Sequence, residues 1–381
     1  MDKKISLIKC ADYKDAEESV NKAIDLIGDI SSFVKPNEKI LIKPNLLAPK
    51  EPQKAITTHP EIVRAAIRLV KKAGAFPIVG DSPGGAVRDI ENLWEITQMR
   101  QVCKEENAEL VQFEAVGAQS FDIGDKNIKQ VTFSKAAIDC DGIINLPKLK
   151  THSLMSFTCG IKNFYGCVPG LLKVEYHKYA SKNKDFASLL TNIYLFLKNK
   201  IRFTLVDGVW GMEGNGPSAG EPRQMNIIAA SKDTPFLDAY LMAALGYDIS
   251  KNYILKNLGI TKNSLADIEM LGNDIKDFDL ANLKFPKSRI LDSIPPIIVK
   301  TLGKLLWIRP SINKQICVKC FLCANSCPAK AISASIDKFP QVDDKKCISC
   351  FCCHEMCPYK AIDFKKSFLA GLFVQDDTNK K

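Results

Sequence analysis

Apolar residues follow two alternating rhythms along the first three hundred positions. Short runs dense in branched and aliphatic side chains recur at 39–45, 76–81, 109–113, 142–146, 203–207 and 225–230. Bounded by turn residues, such runs predict strands buried on both faces, as in a parallel sheet. Stretches with helical spacing lie between them. The clearest opens on Thr58-His59-Pro60-Glu61, which reads as a capping box. It carries Val63, Ile67 and Val70 on one stripe and stops near Gly74. Strands and helices in alternation predict an α/β fold, a largely parallel sheet with layered helices. Prolines then cluster at Pro286, Pro295, Pro296 and Pro310. They divide the chain into an α/β domain (1–285), a linker (286–310), a small α+β domain (311–366) and a tail (367–381).

Composition narrows the setting. At 381 residues and 46% hydrophobic, the chain has material for two or three domains with real cores. No apolar run reaches the roughly 18 residues of a membrane helix. The nearest, 294–308, is broken by Pro295, Pro296, Lys300 and Lys304. With no membrane span and no secretory leader, the expected location is the cytoplasm. The formal charge is +10, but Lys outnumbers Arg 45 to 8 and no dense basic stripe stands out. Nucleic-acid readers lean on Arg forks and concentrated basic patches. Nucleic acid is therefore not an expected partner.

Cysteine changes the picture most. Nine of fourteen fall between Cys317 and Cys357. Cys317, Cys320, Cys323 and Cys327 are spaced x2, x2, x3 and followed by Pro328; Cys347, Cys350, Cys353 and Cys357 repeat this and are followed by Pro358. Phe321/Phe351, Lys330/Lys360, Ala331/Ala361 and Ile332/Ile362 share the 30-residue offset, so the segment is an internal duplication. Three thiolates from a short looping segment can wrap three corners of a [4Fe–4S] cube, and the fourth reaches the other cube. That assigns Cys317, Cys320, Cys323 and Cys357 to one cluster and Cys347, Cys350, Cys353 and Cys327 to the other. Disulfides would need an oxidising compartment, and zinc sites favour paired CxxC spacings. Residues 316–363 resemble the bacterial two-cluster ferredoxin module, which implies low-potential one-electron transfer between the cubes; a redox partner protein is the expected partner. Cys352 is left over as a bystander. Side chains of 311–381 carry 11 Lys against 7 acids, or +4, which two clusters of −2 each would cancel.

Several predicted strands end in polar or glycine-rich turns, where open α/β sheets bind ligands. None is a dinucleotide fingerprint or a phosphate-binding P-loop. Lys43-Pro44-Asn45, Thr58-His59-Pro60-Glu61, Gly80-Asp81-Ser82-Pro83-Gly84, Pro147-Lys148-Leu149-Lys150-Thr151-His152, Lys162-Asn163, Asp207-Gly208 and Met212-Glu213-Gly214-Asn215-Gly216-Pro217 together resemble the family called domain of unknown function 362. The resemblance spans about residues 5 to 235. Members commonly carry a ferredoxin-like tail.

Lys148, Lys150 and His152 alternate, so on an extended segment they share a face. With Lys43 and Lys162 they would hold a carboxylate or phosphate. Lys150, His152 and Asp207 are the candidate catalytic residues; Lys43, Asn45, Lys148, Lys162, Asn163, Asp81 and Glu213 are candidate substrate contacts. His59 reads as a helix start, His177 as exposed, and Cys159 and Cys167 as small buried side chains. The expected function is an electron-transfer protein or oxidoreductase relaying single electrons to or from a small anion. The alternative is a redox-responsive binding or assembly factor whose α/β domain grips a partner protein.

Overall fold

A computed structural model describes residues 3–84, 87, 89–280, 282–286 and 307–369. Ten strands form the main sheet: β1 (Lys4–Lys9), β2 (Lys39–Pro44), β3 (Phe76–Asp81), β4 (Glu109–Gln112), β5 (Gly142–Leu146), β6 (Lys148–His152), β7 (Ser156–Thr158), β8 (Ile201–Glu213), β9 (Glu221–Ser231) and β10 (Glu269–Gly272). Their order is β10-β1-β9-β8-β5-β2-β3-β4, with β6 paired to β8 and to β7. The block β8-β5-β2-β3-β4 is parallel throughout, as the continuous apolar runs require. β9 runs antiparallel to both β1 and β8. The sheet is mostly parallel with helices layered on it.

The helix Pro60–Lys72 buries Val63, Ile67 and Val70 on the sheet and ends before Gly74, whose φ of +74° suits glycine. Its N-cap is His59, not Thr58. Thr58 instead donates its hydroxyl to the Leu146 carbonyl and accepts the Asn45 N–H, which ties β2 to β5. The expected capping box is thus replaced by an inter-strand clamp.

The cysteine segment folds as a small α+β unit. Ile308–Ile312 pairs antiparallel with Ile362–Lys366, and Ile332–Ser335 with Lys338–Val342. Two four-residue helices, Leu322–Asn325 and Cys352–Glu355, occupy equivalent places in the repeats. Pro310 therefore sits inside a strand of this unit rather than in a linker, which edge pairing tolerates. Pro295-Pro296, Gly85 and residues 370–381 of the predicted tail lie outside the described residues. The unit is packed onto the α/β domain: Phe351 and Ile308 belong to the same buried cluster as Phe113, Phe164 and Leu190. Ser218 Oγ donates to the Glu355 carbonyl at 2.6 Å, and Lys360 reaches Glu221 at 2.9 Å. Among the described residues no helix is long and apolar enough to cross a membrane.

Candidate functional site

Strand register sets the first pair of charges. β5 and β6 follow one another along one edge of β8, which puts Asn145 beside Thr204 and Lys148 beside Asp207. Lys148 Nζ donates to Asp207 at 2.9 Å and to Tyr13 Oη at 2.8 Å, with the Lys148 and Asp207 side chains fully buried. Tyr13 Oη and the His59 N–H also donate to Asp207, at 2.9 and 2.8 Å, and the two rings stack at 3.5 Å. Lys43 makes a second buried pair with Asp81 at 2.7 Å, and the other Asp81 oxygen accepts the Leu46 N–H at 2.7 Å. Asn163 donates to Asn145 Oδ1 at 2.8 Å, and Asn145 donates to the Gly160 carbonyl at 3.0 Å. These groups fasten the carboxyl ends of the strands to one another.

Against that floor lies a cavity of about 100 Å³. Of the residues singled out by sequence, Asn45, Asp81, Lys150, Lys162 and Asn163 line it. Lys43 stands behind Asp81; Lys148 and Asp207 are committed to each other. His152 is one residue removed, with its Nε2 3.3 Å from Glu355 Oε1. Glu213 does not line the cavity: Arg223 holds it at 3.0 Å across the β8–β9 pair. Sequence reasoning missed Lys173 and His177, both buried on the helix Leu172–Tyr179, as well as Cys352, Glu355 and Met356 from the second cysteine repeat. His177 is buried, not exposed, because its ring packs 4.2 Å from Phe186 and edge-on to Tyr165.

The cavity is rich in cations held at a cost. Burial lowers Lys150 well below the usual lysine range, and the neighbouring Lys162 and Lys148 push it further down. Its ammonium donates to Asn45 Oδ1 at 2.5 Å and to the Ile56 carbonyl at 2.7 Å. Burial brings Lys173 to about 8, while it donates to the Ser82 and Val168 carbonyls at 3.0 Å each. Burial also lowers Lys162, opposed by Glu355 and Cys352. Glu355 is raised by burial against the pull of Lys162 and Lys150. His152 accepts the Leu154 and Met155 N–H groups at Nδ1, so its neutral form carries the proton on Nε2, towards Glu355. Among the described residues, His177 Nδ1 is buried without a hydrogen-bond partner, whereas His152 Nε2 and Glu355 Oε1 face each other at 3.3 Å without forming a hydrogen bond. Unpaired buried polar atoms beside a cavity invite a ligand.

His177 gives a pH test. Burial lowers it to about 3, with Lys162 pushing the same way. Below about pH 6.5 the unfolded chain binds this proton and the folded chain does not, so stability falls as pH drops towards 3. The expected slope from this one group is about 1.4 kcal/mol per pH unit. Denaturation midpoints between pH 6 and 4 should therefore fall less steeply in His177→Phe than in the parent; equal slopes would count against this burial.

The cysteines of the two repeats lie close to one another, with Cys323, Cys327, Cys353 and Cys357 in one cluster. Burial raises the Cys323 thiol to about 11, and Cys357, Cys320 and Cys317 push it the same way. Burial raises Cys353 strongly, followed by the influence of Cys350, Cys323, Cys347 and Cys327. Cys317, Cys320, Cys323 and Cys357 also line one small internal cavity. The Ala331 and Ala361 N–H groups donate to Cys327 Sγ and Cys357 Sγ, both at 3.2 Å. Among the described residues, no three His, Cys, Asp or Glu side chains meet closely enough for a single metal ion. Cys352, the spare thiol, lines the lysine cavity while its side chain is hydrogen-bonded to that of Cys350.

The family profile described as domain of unknown function (DUF362) matches residues 40–243. The chain belongs to the DUF362 family. Every α/β residue of the cavity falls inside that span. This DUF362 protein is 34% identical over 318 residues to a thylakoid-associated protein of Synechocystis sp., covering 81% of this chain and 96% of the relative. The structure of the lactate racemase apoprotein from Thermoanaerobacterium thermosaccharolyticum shares 12% identity with a TM-score of 0.40, over 60% of this chain and 54% of that chain. That likeness is too distant to speak of chemistry.

Proposed function

We propose that the protein is an iron–sulfur oxidoreductase in which two [4Fe–4S] clusters pass single electrons to or from a small anion held by Lys150 and Lys162. One cluster would be held by Cys317, Cys320, Cys323 and Cys357, the other by Cys347, Cys350, Cys353 and Cys327. The observation that carries this reading is a shared wall. Cys352, Glu355 and Met356, interleaved with cysteines of the repeat, line the same cavity as Lys150 and Lys162.

The loops around the thiols support the cluster part. Lys319 and Ser349, Phe321 and Phe351, and Lys330 and Lys360 all take left-handed φ between +49° and +59°, in pairs offset by thirty residues. Non-glycine residues adopt that region at a cost of roughly 1 kcal/mol each, and only where the surroundings demand it. Loops that curl around a central object make that demand. When bound, such clusters supply one-electron transfer. The chain's own part is to bind the anion with Lys150 and Lys162, and to present His152 Nε2–H and Glu355 beside it.

Electrons also need a way in. Ile316, Val318 and Tyr359 are 45%, 55% and 48% exposed around the exposed Cys320, an apolar rim suited to a redox partner protein. The same rim favours the second reading, a redox-responsive binding or assembly factor. In that case oxidation would alter partner affinity while no small molecule turned over. We place the protein in the cytoplasm, where thiols stay reduced, whereas the Synechocystis relative is named as thylakoid-associated.

Anaerobic reconstitution tests the proposal. About eight irons per chain are expected, falling by about half in Cys353→Ala. The reduced protein's electron paramagnetic resonance spectrum should change on adding acetate, through the cluster next to the cavity. Bound zinc in place of iron would remove the clusters from the account. A spectrum indifferent to acetate and other small anions would remove the coupling.

A further inference from the structure

The lysine cavity has a neighbour. A second chamber of about 250 Å³ lies in the same seam between the α/β domain and the cysteine unit, walled by Ala48, Pro49, Ile56, Leu322, Met356 and Pro358. Both spaces are bounded by Glu355 and Met356. Ile56 joins them from the other side: its carbonyl accepts the Lys150 ammonium at 2.7 Å while the residue walls the apolar chamber. We propose that the anion bound here is amphiphilic, a carboxylate whose head sits with Lys150 and Lys162 and whose apolar body fills the second chamber. The inference rests on the reading of the lysine cavity as an anion site and names the class of anion.

Size argues for a divided ligand. The polar cavity has the volume of roughly three waters, enough for a carboxylate and little else. Small-molecule sites usually run to about 300–1,000 Å³, a range that the two spaces reach only together. An apolar cavity of about 150 Å³ holds a benzene ring, so the second chamber takes one aromatic ring or a medium alkyl chain. The head cavity supplies what a carboxylate needs: the Lys150 and Lys162 ammoniums, and His177 Nδ1, which has no partner among the described residues.

Met356 is the partition. A Cβ on Gly84 would stand 2.9 Å from its sulfur and 3.1 Å from the Leu47 carbonyl, so the seam closes on a glycine. An unbranched thioether can swing between rotamers to open the passage. The duplication points the same way. At the positions equivalent to Cys352, Glu355 and Met356, the first repeat has Leu322, Asn325 and Ser326. Three of the wall residues are thus departures from the first repeat, while Cys357 and Pro358, also on the wall, are shared with it.

Calorimetric titration of the full-length, iron-loaded protein with acetate, butyrate, hexanoate and phenylacetate tests this. Each added methylene should tighten binding about fourfold, so hexanoate, with four more, should bind about 250-fold tighter than acetate. Ala48→Phe, which fills the chamber, should erase that gain and leave acetate affinity unchanged, so acetate binding doubles as its folding control. The chain-length series in the unaltered protein decides the matter if Ala48→Phe disturbs the fold. Equal affinity along the series would overturn the amphiphile and leave the anion site standing. No binding by any of the four acids would overturn both.

Discussion

Replacing Lys43 by alanine is expected to cost about 3–5 kcal/mol of stability. Lys43 and Asp81 are both buried, 2.7 Å apart, in the parallel block of the sheet. Removing the ammonium strands a carboxylate whose remaining donor is the Leu46 N–H. That loss exceeds the value of the pair itself, because an uncompensated buried charge is costly whereas a well-packed apolar replacement of both partners often is not. Lys43→Met with Asp81→Leu should therefore recover much of the loss. Gly166 roofs the pair so closely that a Cβ there would run into Asp81 Oδ1 and Lys43 Nζ, and Gly166→Ala should disturb the same spot. Urea midpoints of the single and double variants check this. A Lys43→Ala protein as stable as its parent, but unable to bind anions, would return Lys43 to the role of a ligand contact.

Lys162→Ala should behave in the opposite way. Lys162 lines the cavity and makes no hydrogen bond or ion pair among the described residues, so its loss breaks no formed contact and should cost clearly less stability than Lys43→Ala. Its charge would face the proposed anion, and a charge-assisted hydrogen bond is worth about 1.5–3 kcal/mol, which corresponds to roughly 10- to 150-fold in affinity. Acetate or hexanoate titrations of the two proteins measure that ratio. An unchanged affinity would mean that the anion, if bound, sits elsewhere.

The parallel block was legible in the sequence because strands buried on both faces cannot hide their apolar runs. The 30-residue duplication was equally plain and reappears in paired left-handed residues and paired N–H···S bonds. β1 was missed because its short apolar run, read alone, carries no turn or helix signal. The helix Leu172–Tyr179 hid its inner face for a different reason: Lys173, Tyr176 and His177 have the i, i+3, i+4 spacing of a buried stripe, but they are polar. Lys148, Asp207 and Glu213 looked like site residues because charged groups at strand ends often are. Only the register, which sets Lys148 beside Asp207 and brings Arg223 to Glu213, shows that each is already matched. The role of Glu355 and Met356 was within reach, since they are among the positions where the second repeat departs from the first. Their facing the lysines is a tertiary fact that no local pattern contains.

We propose that the lysine cavity and the second cysteine repeat, which share a wall, act as one site. Anaerobic rapid mixing of the reduced, iron-loaded protein with fractionated cell metabolites, followed by cluster absorbance, tests it most directly. Fast reoxidation is expected by a fraction containing small carboxylates that also carry a reducible group, at least tenfold slower in Lys162→Ala. Reoxidation by protein fractions alone, at the same rate in Lys162→Ala, would contradict it.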